Sequence, residues 1–118
     1  HKAISWTAAE ELFDNFIRAY YEAIKTKARL GYLVEETAAR FEFLSHLRPV
    51  FAPAYYNRAC MLALSTITIN TKQALEQLRI AISLDPEYRS KARRDKDLVS
   101  LRKLPEFKRM TRKRPKPQ

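Results

Sequence analysis

Acid–base or nucleophilic chemistry in this sequence of 118 residues would have to come from two histidines, one cysteine and a few pairs of neighbouring carboxylates. His1 is terminal, and His46 lies near the end of a predicted helix, where a positive charge is favourable. The pairs Glu10–Glu11 and Glu35–Glu36 fall in predicted first turns of helices, where carboxylates complement the helix dipole. Because a catalytic site needs several such groups to converge, we predict that the chain is not an enzyme and uses no cofactor.

The single cysteine, Cys60, stands in an apolar run between Ala59 and Met61. Alone it forms neither an intramolecular disulfide nor a zinc-ligand cluster, so we predict no metal site. Its neighbours favour a small packed residue over a reactive thiol, and its isolation favours a reducing compartment: the cytoplasm, the nucleus or an organelle interior. The single glycine excludes a glycine-rich phosphate-binding loop. No run approaches the ~18 apolar residues of a transmembrane helix.

Charge is spread unevenly along the chain. Residues 1–88 hold ten Lys/Arg and ten Asp/Glu, whereas residues 89–118 hold thirteen Lys/Arg and three Asp/Glu. The whole net charge of +10 therefore lies in the C-terminal quarter. We name its two bursts of cations the basic arm: Arg89, Lys91, Arg93, Arg94, Lys96, Lys108, Arg109, Arg112, Lys113, Arg114 and Lys116.

Three interpretations of the basic arm are open. It is a solvated flank, a surface that docks on an acidic protein or acidic lipid, or a contact for the phosphates of RNA or DNA. Because no base-reading module is evident, nucleic-acid binding would be indifferent to sequence. The last cations, 112–116, also fit a localisation signal.

Apolar residues recur in steps of three and four, the period of amphipathic helices, and the scarcity of glycine favours long helices over a β fold. We therefore predict an all-α chain of about five to six helices. Thr7 and Glu10 have the spacing of a capping box, and Gly31 suits a turn after the first helix. The predicted helical segments are 7–28, 33–47, 53–64, 71–84, 87–94 and a short turn at 98–103. The β-branched run 65–69 lacks a partner strand, so we predict a loop or frayed helix end.

Two segments repeat one pattern in register. Each has a packed helical face, a proline stop and an aromatic residue two positions later, with offsets of 0, 4, 7, 12 and 14. Their prolines, Pro49 and Pro86, are 37 residues apart, and such a period predicts stacked helix pairs. The first segment is Thr37, Phe41, Leu44, Pro49 and Phe51, and the second is Ala74, Leu78, Ala81, Pro86 and Tyr88.

The junction Pro49-Val50-Phe51-Ala52-Pro53-Ala54-Tyr55-Tyr56-Asn57-Arg58-Ala59 resembles the boundary between two tetratricopeptide repeats. Ala74, Ala81 and Pro86 match the small, small and proline positions of that family's second helix. The resemblance covers about residues 33–107, including the closing runs 85–88, 97–102 and 105–107. It departs in its period of 37 where the family has 34, and in its long first helix. It departs also at Arg58, where the family has leucine, so we expect Arg58 at an interface or in a salt bridge.

The resemblance implies a right-handed α-solenoid whose first helices line a groove for a peptide or helical segment of a partner protein. It implies that the groove is lined by Pro53, Tyr56, Asn57, Cys60 and Leu64, although Asn57 would also suit a bridge between repeats. We expect a helical domain over 1–107, with pairs at 7–47 and 53–84 and terminating helices at 87–107. A flexible basic tail would follow over 108–118. The predicted function is an adaptor or scaffold subunit of a larger assembly, and the alternative is a sequence-indifferent RNA- or DNA-associated protein.

Overall fold

The computed structural model describes residues 3–25, 30–65 and 71–114, and every regular element in those ranges is helical. The elements follow the chain as α1 (Trp6–Lys25), α2 (Leu30–Leu47), α3 (Ala52–Leu64), α4 (Thr71–Leu84), α5 (Tyr88–Arg94), the 3-10 helix η1 (Lys96–Leu101) and α6 (Pro105–Thr111). The all-α prediction is confirmed. Consecutive long helices pack on one another, α1 on α2, α2 on α3 and α3 on α4.

The N-terminus of α1 differs from the predicted capping box. The side-chain oxygen of Ser5 accepts from the backbone N–H of Ala8 at 3.1 Å, so Ser5 is the cap and the Thr7 prediction is wrong. The preceding residue explains the choice: the N–H of Ile4 donates to the carbonyl of Leu47 at 3.1 Å. This bond ties the incoming chain to the end of α2 and sets where helical geometry begins.

Helix α2 also begins earlier than predicted, at Leu30, so Gly31 is helical and does not form a turn. Because α1 begins at Trp6 and α2 at Leu30, neither Glu10–Glu11 nor Glu35–Glu36 lies in a first turn, and the helix-dipole interpretation of these pairs is wrong. Glu36 instead pairs with Arg40 at 2.9 Å, and Glu35 accepts from the hydroxyl of Ser65. The predicted end of the first helix, 26–28, lies outside the described residues.

The repeated pattern predicted the buried faces correctly. Its three helical positions in α2 and the equivalent three in α4 are all 0% exposed, namely Thr37, Phe41, Leu44, Ala74, Leu78 and Ala81. The apolar stripe of α1 covers this core from one side: Phe13 lies 5.7 Å from Phe41, centroid to centroid, and 5.9 Å from Phe51. Burial of these faces is the main force that holds the helices together.

Arg58, which stands where the resemblance expects leucine, forms a salt bridge with Glu42 of α2 at 2.8 Å. The salt-bridge expectation is confirmed. Its side chain is 11% exposed, so the aliphatic stem packs in the interface between α2 and α3 while the guanidinium reaches the carboxylate.

The C-terminal elements fold back on the stack. The 3-10 helix η1 packs on α3, and α6 packs on α4 and α5. Helix α6 continues through Thr111, which is buried, so the boundary predicted at residue 108 falls inside a helix and residues 108–111 are not a flexible tail. Most of the predicted loop 65–69 lies outside the described residues. None of the described helices has the length and apolarity that a membrane crossing requires.

Candidate functional site

The predicted groove residues lie along α3, and the structure buries two of them, Tyr56 and Cys60. Tyr56 is 1% exposed, and its ring stacks on that of Tyr88, with centroids 4.4 Å apart and planes 17° from parallel. Its hydroxyl donates to Oδ2 of Asp95 at 2.8 Å. The ammonium of Lys91 lies 5.0 Å from the centroid of the Tyr56 ring, within cation–π range.

Cys60 lies one helical turn after Tyr56 and is 2% exposed, which confirms the prediction of a packed residue. Its thiol approaches Oδ2 of Asp95 at 3.9 Å. Burial, with the nearby carboxylates of Asp95 and Asp97, raises the pKa of the Cys60 thiol far above its ordinary value. The thiol therefore stays protonated at neutral pH, and a protonated thiol is a poor nucleophile.

Asp95 is the centre of this arrangement. Its Oδ1 accepts from the backbone N–H of Asp97 at 3.0 Å, which caps η1, while its Oδ2 accepts from Tyr56. Its own carbonyl accepts from the guanidinium of Arg102 at 2.6 Å. Asp95 thus fastens η1 to α3, and η1 inserts two buried leucines, Leu98 and Leu101, beside that helix.

Cys60, Asp95 and Asp97 place one sulfur and two carboxylates within 4.8 Å of one another. No metal was predicted, because Cys60 had no potential ligand nearby in the sequence. The grouping arises only in the fold, across 35 residues. Both oxygens of Asp95 already accept hydrogen bonds, so this carboxylate serves as an anchor of η1. Burial, then the charge of Asp95, raises the pKa of Asp97.

The other predicted groove residues remain accessible to a partner. Pro53 and Asn57 are half-buried and Leu64 is exposed. The side-chain amide of Asn57 donates to the carbonyl of Pro53 at 2.8 Å, so it bonds within its own helix and not to a neighbouring pair. In this conformation the C-terminal segment of the same chain covers Tyr56 and Cys60.

A second surface, which we name the α2 outer face, combines exposed residues of α2: Glu36, Ala39, Phe43 and His46. Their spacing of three and four residues puts them on one side of the helix. Phe43 is 57% exposed, although Phe41 and Leu44 beside it are in the core. His46 lies in the last turn of α2, as predicted, and its Nε2 is 3.9 Å from Oε1 of Glu42. The predicted partner surface did not include this face, although one signal for it is present in the sequence: Phe43 is an aromatic residue outside the apolar stripe of the helix.

The basic arm divides between structural and free cations. Lys91 lies over the Tyr56 and Tyr88 rings, and the guanidinium of Arg93 donates to the carbonyl of Thr111. Both therefore hold C-terminal elements in place. Arg94 lies at the exposed end of α5, Lys96 is exposed in η1, Lys108 is exposed in α6, and Lys116 lies outside the described residues.

Five members of the basic arm line one concavity with Arg79 of α4. We name this concavity the cationic cleft; its volume is about 360 Å³. It is built by α4, α5, α6 and the residues that follow α6. Its cationic lining residues are Arg79, Arg89, Arg109, Arg112, Lys113 and Arg114. Because they are separated by up to 35 positions, only the fold of the C-terminal elements brings them together.

Searches against protein-family models, curated proteins and solved structures found no match for this chain.

Proposed function

We propose that this chain is a non-catalytic adaptor or assembly subunit, built as a tetratricopeptide-type stack of helix pairs, that binds a helical or extended segment of a partner protein. Three facts support the stack. The sequence pattern repeats every 37 residues, its equivalent positions are equally buried in α2 and α4, and consecutive long helices pack in chain order. Such stacks present extended surfaces to their partners.

The state of the candidate reactive groups supports the non-catalytic part of the proposal. The Cys60 thiol is buried with a raised pKa. His46 is exposed at a helix end beside Glu42, and Tyr56 and Asp95 use their polar atoms to hold η1. These groups serve packing and anchoring, and they do not converge on a cavity where a substrate would sit.

The observation that carries the proposal is the α2 outer face. Helix α2 is apolar on its core side and yet exposes Phe43, together with Ala39, on the opposite side. Exposed aromatic residues are enriched at protein interfaces and often contribute a large share of the binding energy. We assign Phe43 as the central contact for the partner.

The groove side offers a smaller apolar contact. The hydroxyl of Ser100 donates to the carbonyl of Ala63 at 3.2 Å, so η1 lies against the C-terminal end of α3. Leu64 and Val99 are both exposed near this junction. A partner segment that follows α3 would therefore contact Pro53, Asn57, Leu64 and Val99, while η1 covers Tyr56 and Cys60.

The test is photo-crosslinking in cells that express the full chain. A photoreactive phenylalanine analogue is placed at position 43 and, as a control, at position 76, because Glu76 is exposed on α4. The protein captured from position 43 is identified, purified and titrated calorimetrically against the wild type and the Phe43→Glu variant. We expect capture from position 43 only. We also expect binding at least tenfold weaker for Phe43→Glu, since interface hot spots contribute about 2 kcal/mol or more.

Equal capture from positions 43 and 76, or equal affinity of the wild type and Phe43→Glu for the purified partner, would contradict the proposal. Urea unfolding controls for folding. Because Phe43 is 57% exposed, Phe43→Glu should unfold within about 0.5 kcal/mol of the wild type. Capture of a second copy of the chain from position 43 would instead indicate self-association, which sedimentation of the purified chain measures directly.

A further inference from the structure

Most of the positive charge that lines the cationic cleft has no carboxylate partner among the described residues. Arg79 pairs with Glu76, with 3.0 Å between Nε and Oε2. In the part of the chain that the structure describes, the other five cations of the cleft have no carboxylate within 4.0 Å. Like charges gathered in a concavity repel one another and raise the local positive potential, and an anionic ligand offsets that repulsion.

Contacts between α5 and the end of α6 fix the shape of the cleft. The guanidinium of Arg93 donates to the carbonyl of Thr111, the last residue of α6. The buried hydroxyl of Thr111 donates in turn to the carbonyl of Phe107 at 2.8 Å. The end of α6 is therefore fixed against α5, and residues 112–114 leave it beside Arg89. The hydrogen bond from Arg93, which does not line the cleft, thus positions the cations of residues 112–114.

The chemistry of the lining selects among anions. Five of the six cations are arginines, and the planar guanidinium fork matches the oxygens of a phosphate. The uncharged residues among the described lining are Ile82, Ser83 and Met110, so this part of the cleft has no aromatic ring on which a base would stack. They also offer little of the apolar centre that a specific protein interface needs. A polymer with regularly spaced phosphates fits both the number of free cations and the continuation of the arm towards Lys116.

We propose that the cationic cleft binds the phosphodiester backbone of nucleic acid, RNA or DNA, without selecting base sequence. Arg89 and Arg109 contact phosphates from the two helices, and residues 112–114 extend the contact along the strand. This proposal is independent of the adaptor proposal, since the cleft is formed by α4, α5, α6 and the residues after them, whereas the adaptor contact is on α2.

Fluorescence anisotropy with two labelled probes tests the assignment: a 20-nucleotide uridine RNA and a 20-base-pair DNA duplex of arbitrary sequence. The full chain is titrated between 50 and 200 mM KCl. Five phosphate contacts predict a slope of log affinity against log salt of about −4.5 for the duplex and about −3.5 for the RNA. Affinity for the duplex should therefore fall about 500-fold over this range. A duplex of different sequence should bind within about twofold.

Matched variants locate the binding. Arg89→Gln with Arg109→Gln should lower affinity at least tenfold and reduce the slope by about 2. Lys96→Gln with Lys103→Gln removes the same charge from exposed residues of the same C-terminal quarter, outside the cleft, and should change affinity less than about twofold. The triple variant Arg112→Gln, Lys113→Gln and Arg114→Gln follows the last helix and cannot disturb its core, so it supplies a second measurement if the first variant unfolds.

Four results would overturn the proposal: no binding of either probe at 50 mM KCl, equal losses in the cleft and control variants, a flat salt dependence, or equal competition by polyglutamate. The last would reassign the cleft to acidic proteins. The Phe43→Glu variant should bind both probes as the wild type does, so failure of the adaptor proposal leaves this test intact.

Discussion

The hydroxyl of Tyr56 donates to Oδ2 of Asp95 at 2.8 Å, across 39 residues of sequence. This bond joins the centre of α3 to the cap of η1. Through it the C-terminal elements cover the part of α3 that a partner groove was predicted to use. The C-terminal elements therefore cover α3 on this side, and the two surfaces that we propose as binding sites, the α2 outer face and the cationic cleft, stay exposed.

Replacing Tyr56 with phenylalanine should destabilise the fold by about 1.5–3 kcal/mol, because it removes a hydrogen bond to a carboxylate and leaves that acceptor partly unsatisfied. Tyr88→Phe is the matched control. It keeps the other ring of the stacked pair, and the structure shows no hydrogen bond from the Tyr88 hydroxyl in the described residues. Urea unfolding should place Tyr88→Phe within about 0.5 kcal/mol of the wild type. Equal stability of the two variants would show that the hydrogen bond from Tyr56 to Asp95 adds little to the stability of the fold.

Stability should fall at alkaline pH. Burial raises the pKa of Tyr88 to about 12 and raises that of Cys60 and Tyr56 above their ordinary values. The folded state holds these protons more tightly than the unfolded state does. Their contribution is therefore complete below about pH 8.5 and is lost as the pH rises through the folded pKa values.

We expect the free energy of unfolding to decline from about pH 9 to about pH 12, as measured by urea titration at each pH. Cys60→Ala should flatten the part of the decline nearest pH 9, where an unfolded thiol ionises first. An unchanged slope in Cys60→Ala would mean that the thiol is not held protonated by the fold.

The salt bridge between helices, Glu42–Arg58, should be stronger than the salt bridge within α4, Glu76–Arg79. Glu42→Gln leaves the guanidinium of Arg58, which is 11% exposed, without its carboxylate, and should cost about 1–2 kcal/mol. Glu76→Gln breaks the exposed pair with Arg79 and should cost less than about 0.5 kcal/mol. Thermal unfolding of the two variants in parallel measures the difference. Similar losses would place the Arg58 pair among ordinary surface salt bridges.

Helix capping offers a direct comparison of sequence and structure. Ser5→Ala removes the acceptor for the Ala8 N–H and should cost about 1 kcal/mol. Thr7→Ala, at the position that the sequence pattern favoured, should be within about 0.5 kcal/mol of the wild type because Thr7 is an exposed residue inside the helix. A larger loss for Thr7→Ala than for Ser5→Ala would restore the capping box.

Substitution of the two phenylalanines of α2, Phe41 and Phe43, should have very different effects on stability. Phe41→Ala empties a fully buried site and should cost about 3–5 kcal/mol, measured by urea unfolding. Phe43→Ala should leave stability within about 0.5 kcal/mol, since its side chain is 57% exposed. A loss of more than about 2 kcal/mol in Phe43→Ala would mean that this ring is part of the core and is not available to a partner.

Local patterns determined the helices and their buried faces. The three- and four-residue steps identified the core residues of α2 and α4, and the prolines marked where α2 and α4 end, because helical periodicity records which side of a helix meets apolar neighbours. The count of charged residues along the sequence located the excess of positive charge in the C-terminal quarter. Helix starts were less accurate: both Ser5 and Thr7 are competent caps, and the bond from Ile4 to Leu47, 43 residues away, selected Ser5.

Only the tertiary structure decided which surfaces remain open. The covering of Tyr56 and Cys60 depends on η1 folding back against α3, and the cationic cleft depends on the packing of α6 against α4 and α5. These placements depend on turn geometry and on long-range hydrogen bonds such as that from Tyr56 to Asp95. Neither can be predicted from a pattern of residues that are close together in the sequence. The sequence by itself therefore determined an all-helical chain with a basic C-terminal quarter. The fold determined that this quarter closes one side of the stack and gathers its free cations at another, because each contact requires residues far apart in the chain.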